Sequence, residues 1–510
     1  IISINFKKQL TFFTKMEYDI IFIMGEVYFD HPLCGVAILK RLLEKYGYTV
    51  GVIEKPTKEV DIKKLGKPKL FFGITSGAID SMVRNYTPLK KNREEDEHSD
   101  YDEHVPDRAV TVYSNWIRKN FKDSIMVLGG TEASLRRFVH YDYWQNRLRK
   151  SILLDSRADI LVYGSGEKQV LEIAQRVKDN RNLEMIEGTC LISKELPDNF
   201  KELPSEEEVI ENKEKFCDMQ LMINNYTNVA QKTGQRYILQ YKSPQYTTEN
   251  LDEYYELDFT REIPSDSKHL RGFEFSVVTH RGCVGNCNFC ALRLIQGNKI
   301  ISRSEKSILK EIKSFPNKIY FRGNVDDLGG PSANMYGMDC SLRESCRKDC
   351  LNCEKLDKSH SKLLELLKKV RNLSGINKVY IRSGIRYDLA PKKYIKEIAE
   401  NHIYDTLKIA PEHVDKKVLH LMNKDYGDFT EFLNFFNSLN SGKELSYYFI
   451  TAHPGSSMKE AEELALEIRD LRNVSVQVFT PTPMTMSTCM YHTGLDPETK
   501  KKIYVPYSYR

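Results

Sequence analysis

Three cysteines, Cys283, Cys287 and Cys290, stand in the run T279-H-R-G-C-V-G-N-C-N-F-C290, spaced C-x3-C-x2-C. Three thiolates this close supply three corners of a cubane iron–sulfur cluster. A simple ferredoxin uses four cysteines. Here one iron would lack a protein ligand and stay open to another molecule. The alternatives are half a zinc site or three buried thiols. Zinc prefers four ligands, commonly in two pairs, and this loop offers no fourth. Four more cysteines follow, Cys340, Cys346, Cys350 and Cys353, spaced C-x5-C-x3-C-x2-C. They suit a structural zinc or a second iron–sulfur cluster, and spacing does not decide between these.

The elements around the triplet set where it sits. S276-V-V-T279 reads as a strand leading into the cysteines, with Gly282, Gly285 and Phe289 completing the loop. Helices and strands then alternate: helix 304–313, strand 318–322, helix 361–370, strand 378–382, helix 394–399, strand 405–410, strand 445–450, helix 460–468 and strand 474–479. The same alternation fills 16–177, with strands at 19–24, 48–53, 69–75, 124–130 and 158–164 and helices at 31–46, 110–121 and 167–177. This pattern predicts a doubly wound parallel sheet. Ligands of such sheets bind at the carboxyl ends of the strands, here G25-E-V-Y-F-D-H31, T75-S-G77, G129-G-T131 and G164-S-G-E167. Residues 178–268 are more polar and read as a connector, and 93–104 as an acidic, solvated insertion.

Several phrases carry a resemblance beyond the triplet: E132-A-S-L-R-R137, H140-Y-D-Y-W144, D326-D-L-G-G-P-S-A-N-M335, S383-G-I-R-Y-D388, L407-K-I-A-P-E-H413, A452-H-P-G455, Q477-V-F-T-P-T-P-M484 and M490-Y-H-T-G494. With them the sequence resembles the YgiQ family of radical S-adenosylmethionine (radical SAM) proteins, over nearly the whole chain from Met16. The resemblance implies an α/β protein with an N-terminal doubly wound, cobalamin-binding-like domain (16–177), the connector (178–268), and a radical SAM core built as a partial (β/α)6 barrel (269–510). It implies a 4Fe-4S cluster on Cys283, Cys287 and Cys290, SAM on the open iron, and a 5′-deoxyadenosyl radical that abstracts hydrogen from an unidentified substrate. The alternative is an iron–sulfur electron-transfer or redox-sensing protein without SAM turnover.

Many radical SAM proteins bind the cofactor's amino group with a Gly-Gly-Glu turn after strand two. The sequence at that place is G323-N-V-D-D-L-G-G330, so Asn324, Asp326 and Asp327 are candidate cofactor ligands, weighed against a capped turn. Arg386, Asp388, Glu412 and His413 are candidates at the next two strand ends, weighed against ion pairs internal to the barrel. Cobalamin modules with a lower axial ligand use D-x-H-x-x-G. Asp30 and His31 are adjacent here and Gly35 is out of step, so the expectation is no cobalamin. Cys34, Cys190, Cys217 and Cys489 read as ordinary buried thiols.

Composition narrows the class. Of 510 residues, 41% are hydrophobic and 29% charged, as in globular proteins. A net charge of +5 on so long a chain gives no strong nucleic-acid signal. No apolar run is long enough for a membrane span. Eleven cysteines in a Lys- and Glu-rich chain read as reduced metal ligands of a cytoplasmic protein. A low-potential donor such as flavodoxin or ferredoxin is the expected partner. An initial Ile, a first convincing strand after Met16 and an end at Arg510 without a closing element leave open that the chain is a fragment.

Overall fold

The computed structural model describes residues 17–93, 104–264, 267, 270–340, 342, 346 and 350–507. Met16 and most of the acidic insertion lie outside them. Apart from a small separate hairpin at His140–Asp142 and Arg147–Arg149, the first half is built on a nine-stranded sheet. Its strands are β1 (Ile20–Met24), β2 (Val50–Glu54), β3 (Phe71–Thr75), β4 (Ile125–Leu128), β5 (Ile160–Val162), β6 (Thr189–Ser193), β7 (Lys201–Leu203), β8 (Val229–Thr233) and β9 (Arg236–Gln240), in the order β2-β1-β3-β4-β5-β6-β9-β8-β7. The first five run parallel. Every residue of β1 and β3 is buried, because helices cover both faces of a parallel sheet. Helix Gly35–Lys45 shows the local logic. Val36, Ala37, Ile38, Leu42 and Leu43 form its buried face, Lys45 sits in the last turn, and Gly47 follows at φ +85°.

The segment 178–268, expected as a connector, contributes four strands to this sheet. β6 lies antiparallel to both β5 and β9, and β9 antiparallel to β8. The expectation failed because these strands carry buried polar residues, Gln231 and Gln240 among them, which hide the apolar alternation. Arg137 explains why those glutamines are inside. Fully buried, it donates to Gln240 Oε1 (2.7 Å), Asn225 Oδ1 (3.1 Å) and Ser134 O (2.5 Å) and stacks on the Tyr163 ring. It ties the parallel half of the sheet to the antiparallel half.

The second half carries parallel strand segments separated by helices: β10 (Ser276–Val278), β11 (Asn324–Val325), β12 (Asp327–Gly329), β13 (Lys378–Val379), β14 (Thr406–Glu412), β15 (Glu444–Thr451) and β16 (Val474–Val478). β10 pairs with β12, β11 with β13, and β14, β15 and β16 form one ladder. A bridge between Ile385 and Ile409 links the third and fourth positions. Ile308, Leu363, Leu366, Ile395, Ile398 and Phe432 from the intervening helices pack against Val277, Leu328, Leu407, Leu445 and Phe449.

One strand lies elsewhere than expected. Residues 318–322 are not a strand. They follow a 3-10 turn (Phe315–Asn317), and Ile319 and Tyr320 are 86% and 66% exposed. Only Phe321 of that apolar stretch packs inward, against Phe275 and Phe315. The second strand position is 324–329, so the turn after it is Gly329-Gly330-Pro331-Ser332. No helix among the described residues is long and apolar enough to cross a membrane.

Candidate cofactor site at the cysteine loop

The cysteine loop starts where β10 ends. Thr279 N donates to Gly329 O (2.7 Å), which sets the loop level with the carboxyl end of β12. Two glycines are required in it. Gly282 has φ +86°, and a Cβ there would overlap Lys299 O. A Cβ at Gly285 would overlap Arg386 Nη1. Cys290 N donates to Cys287 O (3.1 Å), closing the C-x2-C pair as a tight turn.

The loop is braced from both halves of the molecule. Helix Leu292–Ile295 follows Cys290. Asn225, itself held by Arg137, donates through Nδ2 to Leu294 O (2.9 Å). Gly164, at the end of β5, lies so close to Ile295 O that a Cβ would stand 2.8 Å from it. Arg281 pairs with Glu167 (2.7 Å) and donates to Tyr255 Oη and Ser165 Oγ. The strand end G164-S-G-E167 therefore buttresses the cysteine loop. On the other side Asn288 N donates to Met422 O and Asn423 Nδ2 to Asn286 O.

The three thiols are half-buried and free. Burial pushes Cys283 up, and the neighbouring Cys287 adds to it. Burial and then Cys287 and Cys283 push Cys290 up to about 12. Negative charges gathered there repel one another, and a bound metal centre relieves this because a ligating thiol is deprotonated outright. Among the described residues no three His, Cys, Asp or Glu side chains close around a single ion. A cluster places one thiolate on each iron and does not need that closure, so the donor set fits an iron–sulfur cluster.

Arg386 and Glu412 stand beside these sulfurs. Arg386 is buried, donates from Nη1 to Cys287 Sγ (3.5 Å), and is held by Asp388 through Nε (3.1 Å). Burial opposes its charge, and Asp388 more than offsets this, so it stays above its usual range. Asn334 fixes its backbone from both sides, accepting from Arg386 N and donating to Arg386 O (2.9 Å each). Glu412 lies on strained backbone at φ +69°. Burial raises it to about 7 against the opposing pull of Lys424 and Arg386, and its buried Oε2 has no hydrogen-bond partner. His413, next along, has a buried Nε2 without a partner while its Nδ1 accepts from Asp415 N. Lys424, buried and near Glu412, was not found from sequence because it sits on no motif or periodic face.

The carboxylates of the other candidates are engaged with neighbouring strands. Asn324 and Asp326 occupy the start of the second strand position rather than the turn after it. Asp326 Oδ2 accepts from Phe275 N (2.9 Å), before β10. Asp327 accepts from Arg382 N (2.7 Å), Ser383 N (3.2 Å) and Ser383 Oγ. These two carboxylates staple neighbouring strands. The glycine turn is instead Gly329-Gly330, packed against the buried His280 ring. Cys340, Cys346, Cys350 and Cys353 are half-buried and not joined in disulfides, in a segment of which 341, 343–345 and 347–349 lie outside the described residues.

Residues 6–274 match the Radical SAM N-terminal family and residues 277–468 the Radical SAM superfamily. The UPF0313 protein MJ1155 of Methanocaldococcus jannaschii is 44% identical across 97% of this chain and 88% of its own. The UPF0313 protein FN0734 of Fusobacterium nucleatum is 40% identical across 96% and 93%. This chain belongs to the UPF0313 family, the YgiQ family of radical SAM proteins. The UPF0313 chain is thus an enzyme whose reaction the family leaves unspecified. Its fold is similar to that of TsrM, a radical SAM methyltransferase from Kitasatospora setae with cobalamin and a [4Fe-4S] cluster bound (TM-score 0.54, 14% identity, 92% of this chain and 77% of that one). It is also similar to OxsB, a cobalamin-dependent SAM radical enzyme with aqua-cobalamin bound (0.52, 11%, 95% and 57%).

These two structures overturn the expectation against cobalamin, since proteins of this fold hold it. That expectation rested on an axial-ligand motif. His31 shows why the motif was a poor guide: it is buried, Nε2 donating to Glu274 O (2.9 Å) and Nδ1 accepting from Leu33 N. Asp30 is bound to Arg41 and Thr260 N. Both residues serve the joint between the two halves, so their spacing carries no information about a corrinoid held by other contacts.

Proposed function

We propose that this UPF0313 protein is a radical SAM enzyme with a 4Fe-4S cluster on Cys283, Cys287 and Cys290, and that its second half forms a partial (β/α)6 barrel around the substrate. The observation that carries this reading is the three gathered thiols, Cys283 and Cys290 raised by burial and by the neighbouring Cys287, with Arg386 and the unpartnered Glu412 carboxylate beside them. When bound, the cluster with SAM supplies a reductive carbon–sulfur cleavage that yields a 5′-deoxyadenosyl radical for hydrogen abstraction. The protein's own groups do the rest. Arg386, kept charged by Asp388, would face the carboxylate of the SAM methionine portion. Glu412 would face its amino group, exchanging an unpartnered oxygen for a charge-assisted bond. The apolar packing of Phe289, Ala291 and Leu294 against the first half would keep water from the radical.

Cobalamin belongs in the proposal, with His31 not a ligand to it. The similarity to TsrM and OxsB supports this part, and a methyl transfer is the second reading it favours.

Anaerobic reconstitution tests both. The expected result is 5′-deoxyadenosine from SAM under dithionite, abolished by replacing Cys283, Cys287 and Cys290 with Ala, and a stoichiometric corrinoid absorbance after addition of cobalamin. Undiminished deoxyadenosine from the triple variant would refute the cluster assignment. Corrinoid that washes off completely would remove cobalamin and methyl transfer.

A further inference from the structure

The four later cysteines share structure with the triplet. Leu351 and Leu356, from their own segment, and Met335 and Met338, just ahead of it, bury against Val284 and Ile300 of the cysteine loop. Cys283, Cys350 and Cys353 all pack on this one apolar cluster. Both sets also contain the same local turn. Cys353 N donates to Cys350 O at 3.1 Å, as Cys290 N does to Cys287 O. Lys299 joins the two sets. Its carbonyl fills the space above Gly282 at the start of the triplet, and its Nζ lies 3.6 Å from Cys350 Sγ. A cation against that sulfur favours the thiolate.

Spacing leaves zinc and iron–sulfur both open, and the placement beside the triplet is what favours iron–sulfur. A centre here would be adjacent to a centre that needs an electron.

We propose that Cys340, Cys346, Cys350 and Cys353 hold a second iron–sulfur cluster, fully ligated by protein, which relays single electrons to the centre at the triplet. The relay half of this rests on the function proposed above. A low-potential one-electron donor of the flavodoxin or ferredoxin class is oxidised by one electron. The second cluster gains that electron and returns to its resting state on passing it on. No bond is made or broken in the relay.

Metal analysis and electron paramagnetic resonance (EPR) of the anaerobically reconstituted full chain test it. About eight irons per chain are expected, four for each cubane. The Cys283→Ala/Cys287→Ala/Cys290→Ala variant should keep about half the iron and a reduced-cluster signal that SAM does not alter. Cys350→Ser/Cys353→Ser should lose the other half, keep the SAM-sensitive signal and deoxyadenosine formation with dithionite, and lose most of its rate with reduced flavodoxin. An iron-free triplet variant, or one zinc per chain that the Cys350/Cys353 variant lacks, overturns the second cluster. Equal rates of the Cys350/Cys353 variant and wild type with flavodoxin overturn the relay. If the double variant does not fold, the iron content of the triplet variant decides alone. Wild-type protein with eight irons whose spectrum ignores SAM would instead defeat the proposed function and leave the second cluster standing.

Discussion

Two buried carboxylates, one in each half, are both raised to about 7, and they do different work. Glu132, in the first half, is desolvated and repelled by Asp80, but both its oxygens are used: they accept from Ser81 N (3.0 Å) and Val110 N (3.1 Å). Around it Arg136 is bound by Asp80 and Asp142, and Asp142 also by Arg108. Glu412, in the second half, is desolvated on strained backbone with one oxygen unpaired. A raised carboxylate alone therefore does not mark a site. What distinguishes Glu412 is unused hydrogen-bonding capacity beside three gathered thiols, which a ligand can satisfy. Glu132 is a satisfied part of its scaffold, and Glu412 is not.

Breaking the scaffold should give the largest effect. Arg136→Met leaves Asp80 and Asp142 as buried, poorly compensated charges and should cost about 3–5 kcal/mol of stability, read by denaturant unfolding. A loss below about 1 kcal/mol would mean the network is not the clamp described.

Gly285→Ala should have the opposite signature. The added Cβ meets Arg386 Nη1 in the cysteine loop, so most of the SAM-responsive iron should be lost while the thermal midpoint stays within about 3 °C of wild type. Full SAM-responsive iron would show that the loop can yield.

Glu412→Gln and Glu132→Gln sharpen the comparison directly. A carboxyl group whose folded pKa is raised from 4.5 to about 7 contributes stability that is complete below pH 4.5 and is lost as pH rises through 7. Each substitution should remove part of the fall in stability over that window. Only Glu412→Gln should also weaken SAM binding, measured by titration of the reconstituted protein. Equal SAM affinity in both variants would erase the distinction.

The smallest effect is expected from Asp326→Asn. The amide oxygen can still accept from Phe275 N, so stability should change by about 1 kcal/mol or less and SAM binding not at all. A clear loss of SAM affinity would return Asp326 to the cofactor site.

Much of this was legible in the chain. The triplet spacing and its glycines marked a loop of gathered thiols, and the structure brings the three cysteines together. The alternation in 16–177 gave the parallel sheet, because buried strands must be apolar on both faces. The family phrases fixed the membership, and their structural reasons emerge now: Arg137 is the joint of the sheet, and Asn334 holds Arg386. Other features were invisible. Ile319 and Tyr320 look like a strand until their exposure is seen. The strands within 189–240 hide behind buried glutamines that only Arg137 explains. Asp326 and Asp327 resemble turn ligands until their backbone partners on neighbouring strands appear.

The sequence by itself determined which atoms can bind metal, which segments form elements, and which family the chain joins, since these follow from residue type, spacing and periodicity. Tertiary structure decided which polar groups were left unsatisfied. Asp326, Asp327 and Glu132 found partners far along the chain, while Glu412 Oε2 and His413 Nε2 did not. Hydrogen-bond satisfaction is a property of the packed neighbourhood, and no spacing rule within a single segment encodes it.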